Sequence, residues 1–121
     1  LTGRHFESVD GIYLGMEMEE VRQLYGEPDR KDGTFPYLNW NNEKEGIRVH
    51  FYGGNVEGMR INKGSRKTFD RSGLNADSPR DSYIAYYKAG GPMNEFFTAG
   101  EDESEYISLY EDRVCLGSGP Y

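Results

Sequence analysis

Two short segments carry the side chains best suited to chemistry. Arg48, His50 and Tyr52 alternate with Ile47, Val49 and Phe51, and Tyr106, Ser108 and Tyr110 alternate with Ile107 and Leu109. A period of two marks an antiparallel strand with one face buried. Turning either apolar side outward would cost several kcal/mol at about 25 cal/mol per Å². The six remaining residues therefore point to the other side of a sheet. What such a set can do is bind. Tyr and Arg dominate the hot spots of protein interfaces. A Tyr ring offers a large contact area and a polar tip with little rotamer entropy to lose. Trp40, in the strand or loop just upstream, would extend the patch. The same tyrosines also have a structural reading, because cross-strand Tyr pairs stabilise a sheet without a partner. A homodimer that pairs two such faces is a third reading.

Reaction chemistry is less well served. The chain has no G-x-S-x-G, no phosphate loop and no His-Glu-x-x-His, and no cofactor motif. Cys115 is the one cysteine, so no intrachain disulfide forms, and the count does not assign a compartment. It sits between Val114 and Leu116, which reads as a packed residue. A catalytic thiol needs a His or a positive environment, and neither His5 nor His50 is near it in sequence. His50 has no second ligand at a fixed spacing, so no metal site is expected. The acidic loops 41–46 and 100–105 offer oxygens, but neither has the spacing of a calcium-binding helix–loop–helix. They read as solvated connections.

Composition narrows the partner. The net charge is −7 over 121 residues, which argues against nucleic-acid binding through a basic surface. The basic cluster Lys63, Arg66, Lys67 and Arg71 is outweighed by that charge and reads as a hinge or rim. Mean hydropathy is −0.84 and no apolar run approaches the roughly 20 residues of a membrane span. Ten tyrosines place the chain outside the compositions that stay disordered. The chain begins at Leu1 with no visible signal peptide, as a removed leader or a trimmed sequence would leave it.

The elements that must position the patch can be read in order. Met18, Val21, Leu24 and Tyr25 have helical spacing, with Gly26 and Pro28 ending the helix. Residues 37–41 make a first strand, with Pro36 just before it. Residues 47–52 and 56–61 form a hairpin around Gly53-Gly54-Asn55. In the second half, Ser78 is expected as N-cap, Pro79 at the first helical position and Asp81 at the third. Tyr83, Tyr86 and Tyr87 form a stripe, and Gly90-Gly91-Pro92 stops the helix. Residues 95–99, 105–110 and 113–116 are expected strands, the last two joined by Glu111-Asp112.

The order of elements recurs after about 60 residues. Gly11-Ile12 returns as Gly73-Leu74, and Val21, Leu24 and Tyr25 as Tyr83, Tyr86 and Tyr87. Val49, Phe51, Tyr52 and Val56 return as Ile107, Leu109, Tyr110 and Val114. Residues 1–62 and 63–121 are thus expected as two helix-plus-sheet repeats in one compact domain, with polar residues 62–72 as the link. The fold class is α+β, with helices packed on one face of an antiparallel sheet.

The run Gly11-Ile12-Tyr13-Leu14-Gly15-Met16, followed by Val21 and Gly26-Glu27-Pro28, resembles the opening motif of the SmpA/OmlA small lipoprotein domain. Glu17 stands where that family has Thr, which weakens the helix cap. The β-lactamase inhibitor protein fold shares this plan and carries it twice. The resemblance implies helices on one sheet face, a concave face that binds a protein, and an exported, extracytoplasmic home. It does not imply β-lactamase inhibition, because a shared architecture carries no target. Any membrane attachment would come from a lipid anchor upstream of Leu1. The expectation is a non-enzymatic protein-interaction domain of the bacterial cell envelope. The alternatives are small-ligand or cell-wall-fragment binding or processing in a cleft between repeats, and a purely structural dimerising module.

Overall fold

The computed structural model describes residues 6–88, 96–99 and 105–118, with the backbone alone for 96–99 and 118. Its order is α1 (Met18–Tyr25), β1 (Arg30–Thr34), β2 (Tyr37–Asn42), β3 (Ile47–Tyr52), β4 (Asn55–Asn62), α2 (Arg80–Tyr87), β5 (Phe96–Ala99), β6 (Glu105–Leu109) and β7 (Arg113–Ser118). The protein is α+β. One antiparallel sheet runs β1-β2-β3-β4-β7-β6-β5. Each half supplies a helix and then a meander, and β4 pairs with β7 where the two meanders meet.

The alternation sorts the sheet as expected. Ile47, Val49, Phe51, Met59, Ile61, Ile107, Val114 and Leu116 are buried in one core, together with Val21 of α1 and Tyr83 of α2. Both helices lie on this side. So do residues 6–16, which contribute Phe6, Val9, Ile12, Leu14 and Met16, and the connection between the halves, which contributes Phe69. That connection is not a polar hinge. Asp70 accepts hydrogen bonds from Ser8 Oγ and from the Asp10 and Gly11 amides at 2.7, 3.0 and 2.9 Å. Lys67 pairs with Asp10 and Glu45.

Gly53 and Gly54 both have positive φ, the geometry of a two-residue hairpin whose twist matches its strands. Gly26 caps α1 at φ 80°. Glu17 is the N-cap, and Glu20 Oε1 accepts its amide at 3.3 Å.

Four expectations are corrected. Leu24 is 53% exposed, because an eight-residue helix at the margin of the sheet buries a single row, represented by Val21. Ser78 does not cap α2. Its Oγ accepts the Asn75 amide at 2.9 Å, and Pro79 takes the cap position instead. The helix ends at Lys88, which adopts the left-handed conformation with φ 56°. Gly90-Gly91-Pro92 and loop residues 100–104 lie outside the described residues, as does His5. Finally, β1 was not expected. Its sequence, Arg-Lys-Asp-Gly-Thr, is polar and lacks alternation, which suits an edge strand.

Three tyrosines lock the core margin. Tyr25 donates to Asp10 Oδ2 at 2.7 Å, Tyr83 to the Asn75 carbonyl at 2.6 Å, and Tyr87 to Glu7 Oε2 at 2.6 Å. Burial first, and then a facing carboxylate, pushes all three phenols above their ordinary value. An unfolded tyrosine ionises near pH 10. Above that pH the unfolded chain binds fewer protons than the fold, so stability falls as pH rises. A titration followed at 295 nm is expected to leave three tyrosines silent until circular dichroism reports unfolding. Full ionisation with the fold intact would contradict this.

Candidate binding face

The sheet face opposite the two helices, uncovered among the described residues, is built by the same alternation that builds the core. Across β2, β3 and β4, Asn39 pairs with His50 and His50 with Gly58, while Asn41 pairs with Arg48 and Arg48 with Arg60. The rows continue over β7 and β6. Gly58 opposes Gly117 and Gly117 opposes Tyr106, while Arg60 opposes Cys115 and Cys115 opposes Ser108. A bulge between His50 and Phe51 inserts Glu57 beside His50.

Two adjacent glycines strip side chains from the middle of this face. A Cβ on Gly117 would lie 2.8 Å from the Tyr106 ring, which therefore lies over β7. The result is a groove of about 470 Å³. Gly58, Gly117, Ser108 and Cys115 contribute to its lining, with Arg48, His50, Arg60, Tyr106, Tyr110 and Arg113 around them.

Of the expected patch, Arg48, His50, Tyr106, Ser108 and Tyr110 line this one groove. Tyr52 lies on the same face just beyond it, exposed, with its ring 5.0 Å from that of Tyr37. Ser108 is 2% exposed, so it is part of the floor and not of an accessible rim. Trp40 is a correction. It is 4% exposed and pairs in register with Val49, which puts it on the core side. Its ring packs against Phe51 at 4.8 Å and lies under Arg22 and Lys31 at 5.0 and 5.3 Å.

His50 is fixed at both ring nitrogens. Nδ1 faces Asn39 Oδ1 at 2.7 Å and Nε2 faces Glu57 Oε1 at 3.1 Å. Arg48 Nε donates to Asn41 Oδ1 at 2.7 Å, and Asn41 Nδ2 donates to Asp32 Oδ2 at 3.0 Å. Arg113 pairs with Asp112 at 2.8 Å and covers the Tyr110 ring at 4.1 Å. Burial pushes the Cys115 thiol up, against the pull of Arg113 and Arg60, so it is a poor nucleophile. Among the described residues, no cluster of three or more His, Cys, Asp or Glu has the placement of a metal site. Among the described residues, Glu57 is the one carboxylate of the groove lining, and it pairs with His50.

Two residues of this face, and one in the turn beside it, escaped the sequence reading. Arg60 lies between Met59 and Ile61, and that alternation carried the signal. Tyr37 stacks with His50 at 6.4 Å between ring centres. Phe35, in the turn that leads into Tyr37, is 73% exposed.

Compared with known proteins, the chain matches no family model, no curated protein and no solved structure. No helix among the described residues is long and apolar enough to cross a membrane.

Proposed function

We propose that this is a non-enzymatic protein-interaction domain, of the kind the SmpA/OmlA and β-lactamase-inhibitor resemblance implies, working in the extracytoplasmic envelope. On this reading the chain is a duplicated helix-plus-meander unit, and the partner docks on the uncovered sheet face. Gly11-Ile12 and Gly73-Leu74 support the duplication, because both pairs place a positive-φ glycine before an apolar residue packed in the core or against it.

The observation that carries the binding role is the collection of exposed aromatic side chains at one end of that face. The rings of Tyr37 and Tyr52 meet there at a tilt, Phe35 stands in the adjoining turn, and the groove opens beside them. Soluble proteins rarely leave such a patch on a surface that meets only water. A cleft enzyme would instead need convergent carboxylates, and the described lining supplies Glu57 alone.

The test is a double variant, Tyr37→Ser with Tyr52→Ser, used as bait against envelope extract beside the wild type. Loss of two interface anchors is expected to weaken capture on the order of 30-fold or more. Unchanged capture by a variant with native circular dichroism would overturn the reading. So would light scattering that shows these rings buried in a stable homodimer.

A further inference from the structure

The centre of the groove holds an electrostatic conflict. Arg48 and Arg60 sit directly opposite each other on neighbouring strands, both on the uncovered face. Like charges in that position destabilise a sheet. Among the described residues neither forms an ion pair, and Arg60 Nε is buried without a hydrogen-bond partner. Burial, with the charges of Arg48 and Arg113 added, holds the Arg60 guanidinium below its ordinary value. Five other cations differ. Arg22, Arg30, Lys31, Lys67 and Arg113 all have carboxylate partners. An acidic chain with a net charge of −7 thus leaves two cations without an ion pair side by side in its groove.

We propose that Arg48 and Arg60 form a carboxylate-binding site, which receives an Asp or Glu side chain of the docking partner. This rests on the sheet-face reading above and names the chemistry at its centre. Guanidinium groups match the fork of a carboxylate, and a partly desolvated guanidinium without an ion pair gains most from one. Asn41 steadies Arg48 through its Nε–H, and this leaves the outer nitrogens of Arg48 for the ligand. The choice of a protein carboxylate over an extended polyanion follows from range. A nucleic acid or an anionic membrane would meet the chain's overall negative charge. A single side chain inside the groove is screened from it beyond about 8 Å. A flat bilayer also presents no headgroup to the floor of a groove.

The test uses ¹⁵N-labelled protein and the peptide acetyl-(Glu-Leu)₃-amide. Its Gln counterpart, inorganic phosphate and phosphatidylglycerol vesicles are the comparison arms. The Nε–H resonances of Arg48 and Arg60 are expected to shift saturably with the Glu peptide. The Gln peptide should bind at least tenfold more weakly. Arg60→Gln should abolish the difference between the two peptides, and Lys44→Gln, on the β2–β3 loop, should leave it intact. Equal binding of the two peptides, an unshifted Arg60 resonance, or tighter binding of phosphate or vesicles would overturn the site. The sheet-face reading fails separately. If Tyr37→Ser with Tyr52→Ser abolishes partner capture while Arg48→Gln with Arg60→Gln leaves it unchanged, the face binds and the carboxylate site is wrong.

Discussion

Replacing Glu7 by alanine is expected to lower unfolding stability by ~3–5 kcal/mol, a fall in melting temperature on the order of 10–20 °C. Glu7 is fully buried. Its Oε1 accepts the Ser8 and Arg71 amides, both at 3.1 Å, and its Oε2 accepts the Ser72 amide at 3.0 Å and the Tyr87 hydroxyl at 2.6 Å. One carboxylate thus joins the start of the chain, the connection between the halves, and α2. Alanine leaves three amides and a phenol without this acceptor in a dry site. A buried donor without its partner costs about 1–3 kcal/mol. The exposed Glu19, paired only with Arg22, is the control, and its alanine variant should stay within about 0.5 kcal/mol of the wild type. Denaturant melts of both variants decide the matter. A loss below about 1 kcal/mol for Glu7→Ala would show that water replaces the carboxylate.

The second large effect has the opposite sign. Arg60→Met is expected to stabilise the fold by ~1–2 kcal/mol. It removes one of two like charges paired across β3 and β4, together with a buried Nε–H that has no acceptor. Methionine keeps most of the apolar stem that the arginine packs against its neighbours. Arg48→Met should gain less, because its Nε–H is already bonded to Asn41. A higher urea midpoint for Arg60→Met with an unchanged slope is the expected result. A lower midpoint would mean that the guanidinium is satisfied within the fold, and would remove the physical reason for a ligand there.

The strands were legible where one face is apolar. Ile47, Val49 and Phe51 fixed the orientation of β3, and Gly53-Gly54 placed its hairpin. Trp40 failed for lack of register, since an isolated strand does not reveal which side it shows to its neighbour. Its pairing with Val49 decides the matter, and pairing is a property of two segments. β1 carries no apolar pattern because an edge strand buries little. The exposure of Leu24 is not legible in the sequence, because helical spacing marks a stripe but not its width. Within the groove, alternation gave the direction of Arg48, His50, Tyr106 and Ser108. The depth came from Gly58 opposing Gly117, a coincidence of two distant segments that neither one records.

One consequence of the strand order concerns synthesis. β7 lies between β4 and β6, so the last strand of the sheet in chain order is an interior one. Until it has left the ribosome, β4 and β6 each show a row of unsatisfied amides and carbonyls. The nascent chain is therefore most vulnerable to clumping after β6 and before β7 has emerged. Loss of β7 would split the sheet in two and not merely shorten one edge.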